Sequence, residues 1–142
     1  MKEKISFSGK SKDFLLARKL CEVVSPFVDI NHSTVVVENI SDIVGDFDFL
    51  VCRFGTDING VSASKIFTYS VGQSNADICG LNFQKREQSR SLELLSGSFM
   101  GRVNIPVSSE YTETSVLYCA AGLMASGVSV PEIIKAINSK IS

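Results

Sequence analysis

Residues 5–11 read Ile5-Ser6-Phe7-Ser8-Gly9-Lys10-Ser11, a stretch that joins an alternating segment to a glycine and a serine. Residues 5–8 alternate apolar and small polar side chains, which is typical of a short strand. Gly9 interrupts the alternation, and the hydroxyl of Ser11 can accept a hydrogen bond from the first turn of a helix. The stretch therefore predicts a strand that passes through a tight turn into a helix, which runs from residue 12 to about residue 25.

Outward from this stretch, the first half of the chain alternates strands and helices. The helix is expected to pack on a sheet through an apolar face made of Leu16, Leu20, Val23, Val24 and Phe27. Residues 34–37 are a β-branched run, typical of a strand that is covered on both faces. A helical turn at 40–44 and strands at 46–54 and 65–70 follow. This order predicts a mainly parallel, Rossmann-like sheet with helices on its faces.

The second half is expected to begin with a short antiparallel β-meander, because three strand-like segments are separated by polar or Gly/Ser turns. These segments span residues 76–83, 91–95 and 101–106. Two helices end the chain, at residues 112–126 and from Ser129 to about Ile141. Ser129 and Glu132 have the spacing of a capping box, and Pro131 suits the first turn. No linker interrupts the sequence, so residues 1–142 are predicted to form a single α/β domain.

The charge balance of the chain limits its partners. The 142 residues include 14 basic and 15 acidic side chains, for a net charge of −1, which argues against a nucleic-acid partner. No run reaches the roughly 20 apolar residues that cross a bilayer, and no signal-peptide core follows residues 1–4. We therefore expect a cytoplasmic protein with no membrane partner. The four cysteines are widely spaced and form no C-x-x-C pair, so buried thiols are favoured over a zinc or redox site.

No catalytic or metal-binding set is visible in the sequence. His32 is the single histidine, so neither a histidine-rich metal site nor a Ser-His-acid triad is encoded. Asp46 and Asp48 are predicted to share a face at one end of a strand. Asp57 and Asn59 follow the carboxyl end of that strand, where open α/β sheets bind ligands. A role as solvated loop residues is nevertheless favoured for Asp57 and Asn59.

The segment Gly9-Lys10-Ser11 is the one phosphate-like signal. In a P-loop, backbone N–H groups at a helix N-terminus hold phosphate, a lysine neutralises it and a hydroxyl binds magnesium. The first glycine of that pattern would stand at position 4, where this chain has Lys4. A tight turn that ends in a serine N-cap is therefore favoured over a nucleotide site.

The last third of the chain carries a resemblance to a known family. Its motifs are Ser109-Glu110-Tyr111-Thr112-Glu113-Thr114-Ser115, the small-residue helix at 116–126, Gly127-Val128 and Ser129-Val130-Pro131-Glu132. Phe67-Thr68-Tyr69-Ser70-Val71-Gly72 and Asn75-Ala76-Asp77-Ile78 precede them in matching order. This arrangement resembles the central, ATP-binding domain of the Mur ligases, which join amino acids to peptidoglycan precursors. The resemblance covers mainly residues 65–140.

The resemblance implies nucleotide contacts at two places, with ATP and magnesium as cofactors. The implied contacts are Gly9, Lys10, Ser11, Thr112 and Ser115. The sequence departs from the family motif at several positions: Ser109 replaces its glycine, and Thr112 and Ser115 replace its two asparagines. The segment that carries the family's magnesium-binding glutamate and histidine is largely missing, and His32 and Glu38 do not match its pattern.

Three hypotheses about function follow. The favoured one is a Mur-ligase-like module without catalytic activity or a cofactor of its own, which binds a protein partner, a second copy or a small ligand. The second is a working part of an ATP-dependent, amide-bond-forming ligase whose missing groups come from another chain. The third is an unrelated, small Rossmann-like ligand-binding module. The first is favoured because phosphoryl transfer needs lysine, metal and positioning groups together.

Overall fold

The computed structural model describes residues 5–43 and 47–141, which form seven strands, three α-helices and two short 3-10 helices. The strands are β1 (Ile5–Ser8), β2 (Thr34–Val37), β3 (Phe49–Arg53), β4 (Lys65–Val71), β5 (Ile78–Lys85), β6 (Ser89–Ser96) and β7 (Phe99–Pro106). The α-helices are α1 (Lys12–Val24), α2 (Glu113–Ala125) and α3 (Val130–Ile141), and the 3-10 helices span Ser25–Phe27 and Ile40–Asp42. Lys4, Val44 and Asp46, which the sequence analysis used, lie outside the described residues.

The strands form one mixed sheet whose spatial order follows the chain, from β1 to β7. Neighbouring strands from β1 to β5 are parallel. β5, β6 and β7 then pair antiparallel. The predicted fold class is confirmed: a mainly parallel sheet leads into an antiparallel meander and two C-terminal helices.

Two apolar clusters lie on opposite faces of the sheet. All three helices contribute to the larger cluster, together with the strand residues Val36 and Val51. The smaller cluster consists of Val35, Val37, Leu50 and Cys52, packed against the segment around Ile40 and the loop around Val61. Because successive side chains of a strand point to opposite faces, β2 supplies residues to both clusters. All four of its residues are buried, which explains its uninterrupted β-branched sequence.

The buried face of α1 agrees with the predicted one only in part, since Leu20 and Val24 are buried as expected. The predicted Val23 and Phe27 are 39% and 61% exposed, respectively, and Leu16 is half-buried. The face that packs inside consists of Phe14, Ala17, Leu20, Cys21 and Val24. The prediction counted large aliphatic side chains and passed over the small Ala17 and Cys21, which allow α1 to pack closely against α2. The helix also ends at Val24, so Phe27 belongs to a 3-10 helix with a different periodicity.

α2 is the central helix and is buried along most of its length. A Cβ atom at Gly122 would lie 3.0 Å from Ile5 Cγ2 and 3.1 Å from Val36 Cγ2, so this glycine lets the helix approach β1 and β2 closely. Within the described part of the chain, no helix is long and apolar enough to span a membrane, and α2 has only 13 residues.

Candidate functional site

The carboxyl ends of the parallel strands and the N-termini of α1 and α2 meet at one edge of the sheet. Ser8 ends β1 and leads through Gly9 and Lys10 into α1, while Glu38 follows β2 directly. Arg53 ends β3 and Val71 ends β4. Ligands of open α/β sheets bind at this edge, which makes it the candidate functional site.

The side chain of Glu38 accepts hydrogen bonds from the backbone N–H groups that would otherwise bind a phosphate. One of its carboxylate oxygens, Oε1, accepts hydrogen bonds from the backbone N–H groups of Lys10 at 3.1 Å and Ser11 at 3.3 Å. The backbone N–H of Glu38 donates to the carbonyl of Ser8 at 3.0 Å, which holds the residue against the end of β1. An internal carboxylate therefore lies where the phosphate-like motif would place a bound anion.

Gly9 is required by the packing of this loop. A Cβ atom at position 9 would lie 2.7 Å from Glu38 Oε1, 2.8 Å from Glu38 Cβ and 2.8 Å from Phe14 Cδ2. Real Cβ atoms do not approach other atoms so closely, and Phe14 is fully buried and held by its neighbours. Glycine at this position thus serves the contact between the turn and Glu38.

The predicted nucleotide contacts on the helices make capping hydrogen bonds. Ser11 caps α1, as predicted, because its Oγ accepts from the N–H of Phe14 at 3.2 Å. Thr112 caps α2 by accepting from the N–H of Ser115 at 3.0 Å, and Ser115 Oγ accepts from the N–H of Thr112 at 2.9 Å. The structure therefore shows a reciprocal capping box at Thr112 and Ser115. Their proposed contact with a nucleotide stays a prediction.

Side chains tie α2 to its neighbours at this edge. The Thr112 hydroxyl donates to Asp13 Oδ1 at 2.7 Å, which joins the N-termini of α1 and α2. Arg90 on β6 forms an ion pair with Glu113 at 2.9 Å and donates to the carbonyl of Tyr111 at 2.9 Å. The Thr112–Asp13 hydrogen bond thus places Thr112 and Ser115 near the N-terminus of α1, which follows Gly9, Lys10 and Ser11. Most of the polar groups there are already paired within the chain.

Two cavities open at this edge and share Val71. The larger, of about 430 Å³, is lined by Asp13, Val71, Phe83, Arg90, Thr112, Glu113 and Thr114. The smaller, of about 220 Å³, is lined by Arg53, Phe54, Ser70, Val71, Gln73 and Asn75. The ionisable groups of the larger cavity include both members of the Arg90–Glu113 ion pair. Arg53 is the one ionisable side chain that lines the smaller cavity.

Two tyrosines lie beneath the edge, next to Arg53. Burial raises the pKa of Tyr118 above its ordinary value of 10.0; the charge of Arg53 opposes this rise, and those of Asp13 and Glu38 add to it. Burial likewise raises the pKa of Tyr69, again against an opposing effect of Arg53. The rings of Tyr69 and Tyr118 are in contact, with centroids 5.0 Å apart. Both phenols are therefore neutral at physiological pH.

Several predicted residues lie away from this edge or act as turn residues. His32 precedes β2 at the opposite edge of the sheet, where its ring packs on Phe49 with centroids 4.5 Å apart. Asp48 precedes β3 at that same edge, and its Oδ2 accepts from the N–H of Ser33. Asp57 does follow β3, but its side chain accepts from the N–H of Asn59, as in a turn. Among the described residues, no group of three potential ligands could hold a metal ion.

Glu38 is the site residue whose role the sequence analysis missed. The register pairs Ser8 with Val37, so the residue after Val37 must lie beside Gly9. In the sequence, the position of an acidic residue immediately after the buried strand β2 is the one indication of this role. It predicts a contact with Gly9 only if β2 is known to be adjacent and parallel to β1.

No protein-family model and no curated protein matches this sequence. Solved structures do match it. The UDP-N-acetylmuramoylalanyl-D-glutamyl-2,6-diaminopimelate–D-alanyl-D-alanyl ligase from Acinetobacter baumannii superposes with a TM-score of 0.65 at 13% identity, over 96% of this chain and 45% of that one. A crystal structure of MurF from Acinetobacter baumannii gives a TM-score of 0.64 at 12% identity over the same shares.

A murein peptide ligase from Psychrobacter arcticus 273-4 gives a TM-score of 0.51 at 15% identity, over 75% of this chain and 26% of its own. This chain thus spans less than half of each of these ligases. The likeness to the Acinetobacter structures extends beyond residues 65–140 to nearly the whole chain, β1 and α1 included. The chain therefore has a Mur ligase-like fold.

Proposed function

We propose that this chain is a Mur ligase-like binding or accessory module without ligase activity of its own. The observation that supports this function is the position of Glu38, whose carboxylate accepts from the N–H groups of Lys10 and Ser11. In this proposal the module acts by holding a ligand or a protein partner. It works in the cytoplasm, where its four buried cysteines remain reduced.

ATP and magnesium do not fit the residues at the turn. A phosphate bound there would need the same two N–H groups, and it would stand against a carboxylate of like charge. The backbone of Glu38 is held to Ser8, and its side chain lies against Gly9, beside these N–H groups. Ser11, which would supply the magnesium-binding hydroxyl, uses its Oγ to cap α1. The nucleotide reaction of a ligase is therefore not assigned to this chain.

The two other hypotheses are less well supported. A functional part of a ligase would require another chain to supply the metal-binding groups and to displace Glu38. An unrelated Rossmann-like module is disfavoured, because the likeness to the ligase structures covers 96% of the chain and includes the meander and the two C-terminal helices.

A thermal unfolding experiment tests the proposal. A nucleotide present at 100 times its dissociation constant would stabilise the folded state by about 2.7 kcal/mol. We expect the melting temperature of the wild type to be unchanged by millimolar ATP with magnesium. The variant Lys10→Ala should behave in the same way, since Lys10 is exposed. A rise in the wild-type melting temperature that Lys10→Ala removes would contradict the proposal.

The variant Glu38→Gln separates the charge of Glu38 from its hydrogen bonds. The amide oxygen of glutamine can still accept from Lys10 and Ser11, but the negative charge is gone. If like-charge repulsion is what excludes the nucleotide, this variant should respond to magnesium-ATP more strongly than the wild type does. Thr114→Ala, a change on the nearby cavity wall, is the matched control and should respond as the wild type does.

A further inference from the structure

The smaller cavity at the carboxyl edge has an unusual charge balance. Its lining residues are Arg53, Phe54, Ser70, Val71, Gln73 and Asn75, and all except Arg53 are neutral. Among the described residues, no carboxylate lies within ion-pair distance of Arg53. The second cavity differs, because Arg90 is already paired with Glu113 there. Within the described ranges, the smaller cavity therefore carries one positive charge that is not engaged in an ion pair.

The guanidinium of Arg53 is well placed to bind an external anion. It lies beside the hydroxyl of Tyr118, a neutral group that leaves its charge uncompensated. A guanidinium has five N–H donors in a planar fork, so a contact with one hydroxyl leaves donors free. This planar fork matches a carboxylate, to which it can donate two parallel hydrogen bonds.

Apolar surface lies next to this charge. Phe54 is 48% exposed and Val71 is 39% exposed, and both line the same cavity. Polar neighbours are available as well: the side-chain amide of Asn75 donates to Gln73 Oε1 at 3.0 Å. One cation, an aromatic ring and two amide side chains therefore line a cavity of about 220 Å³.

We propose that this cavity binds a small monocarboxylate that carries an apolar group, with the carboxylate on Arg53 and the apolar group against Phe54 and Val71. A single negative charge would balance the single charge of Arg53, whereas a dianion such as phosphate would bring a second, unmatched charge. The cavity volume suits one small molecule or one side chain of a peptide. This inference deepens the proposed function by naming a ligand class, and it rests on the chain being a binding module.

The proposed site is separate from the turn at Gly9-Lys10-Ser11. Arg53 ends β3, which is two strands away from β1, or about 10 Å at the usual spacing of strands. Glu38, which directly follows β2, lies between them, and its negative charge weakens an anion site at Arg53. We therefore expect affinity in the millimolar range, as is usual for a ligand of few atoms.

Titration with benzoate, followed by ¹H–¹⁵N spectra, tests the proposal. We expect saturable shifts of the amide signals of Phe54, Val71, Gln73 and Asn75. Benzyl alcohol has nearly the same shape without the charge and should bind at least tenfold more weakly; inorganic phosphate should be similarly weak. All titrations are made at constant ionic strength, because salt screens exposed charges.

Variants of Arg53 test whether its guanidinium binds the carboxylate of benzoate. Arg53→Gln should lower benzoate affinity at least tenfold, and Arg53→Lys should lower it less, because lysine keeps the charge but not the planar fork. Arg86→Gln, at an exposed arginine of the β5–β6 turn, is the matched control and should bind as the wild type does. If Arg53→Gln fails to fold, Phe54→Ala serves instead, and it should lower the affinity for benzoate.

Any one of four outcomes would overturn the proposal. They are no saturable shift at these four amides, equal binding of benzyl alcohol, unchanged binding by Arg53→Gln, and preferred binding of phosphate. Failure of this proposal can be distinguished from failure of the proposed function, because any nucleotide bound at the turn would depend on Lys10, whereas benzoate binding would depend on Arg53. Lys10→Ala should leave the benzoate titration unchanged.

Discussion

The tyrosine at position 69 shows how one buried residue sets a stability limit at high pH. Burial raises its pKa above the ordinary value of 10.0, because the phenolate would lose its hydration inside the protein. The contribution of Tyr69 to the free energy of unfolding is fully present below the pKa of this tyrosine in the unfolded chain, which is near 10. As the pH rises above 10, the unfolded state binds fewer protons than the folded state does, so stability falls.

We therefore expect Tyr69→Phe to reduce the loss of stability between pH 9 and pH 11. Each pKa unit between the two states corresponds to about 1.4 kcal/mol. The measurement is the free energy of urea unfolding of wild type and variant at each pH, and the difference between the two isolates residue 69 from other titrating groups. A difference that stays constant across this pH range would show that Tyr69 is not the group responsible.

At the scale of elements, the edge strand β7 depends on one side chain of α3. Asn138 Oδ1 accepts from the backbone N–H of Asn104 at 3.0 Å, and its amide nitrogen donates to the carbonyl of Arg102 at 3.1 Å. An edge strand exposes unpaired backbone groups that could pair with another chain. The amide of Asn138 satisfies two of these groups in the way that a neighbouring strand would.

Asn138→Ala should lower the free energy of unfolding by about 1–2 kcal/mol, because two backbone groups lose their partners. Urea unfolding gives the change in stability, and hydrogen exchange at the amide of Asn104 should become faster. Ser139→Ala, at the next and exposed position of α3, is the matched control and should be close to neutral. Equal effects of the two variants would argue against a specific role for Asn138.

The bounds of most elements could be predicted, because turn and capping residues mark them. β1 ends at Ser8 as expected, and α3 begins just after Ser129, whose Oγ accepts from the N–H of Glu132. The face of α1 was predicted only in part: Leu20 and Val24 are buried as expected, but the buried Ala17 and Cys21 were not predicted. At the site, the role of Ser11 as a cap followed from sequence. The role of Glu38 did not, since it depends on the register between β1 and β2.

At the scale of the whole molecule, the two clusters raise the question of how many cooperative units the chain contains. The larger cluster joins α1, α2 and α3 to the sheet, whereas a 3-10 helix and a loop cover the smaller one. Both clusters share β2 and β3, whose adjacent residues point to opposite faces. A strand cannot lose its partners on one face and keep its position for the other, so the clusters should unfold together.

The matched variants Leu20→Ala and Leu50→Ala test this single-domain prediction, since both leucines are fully buried, Leu20 in the larger cluster and Leu50 in the smaller. Each should lower stability by about 2–5 kcal/mol, the usual range for such a change in a core. In one cooperative unit, both variants shift a single urea transition and leave its slope unchanged. Circular dichroism and tyrosine fluorescence should then give the same midpoint. If Leu50→Ala instead produced an early transition with the helical signal intact, the smaller cluster would be a separate unit.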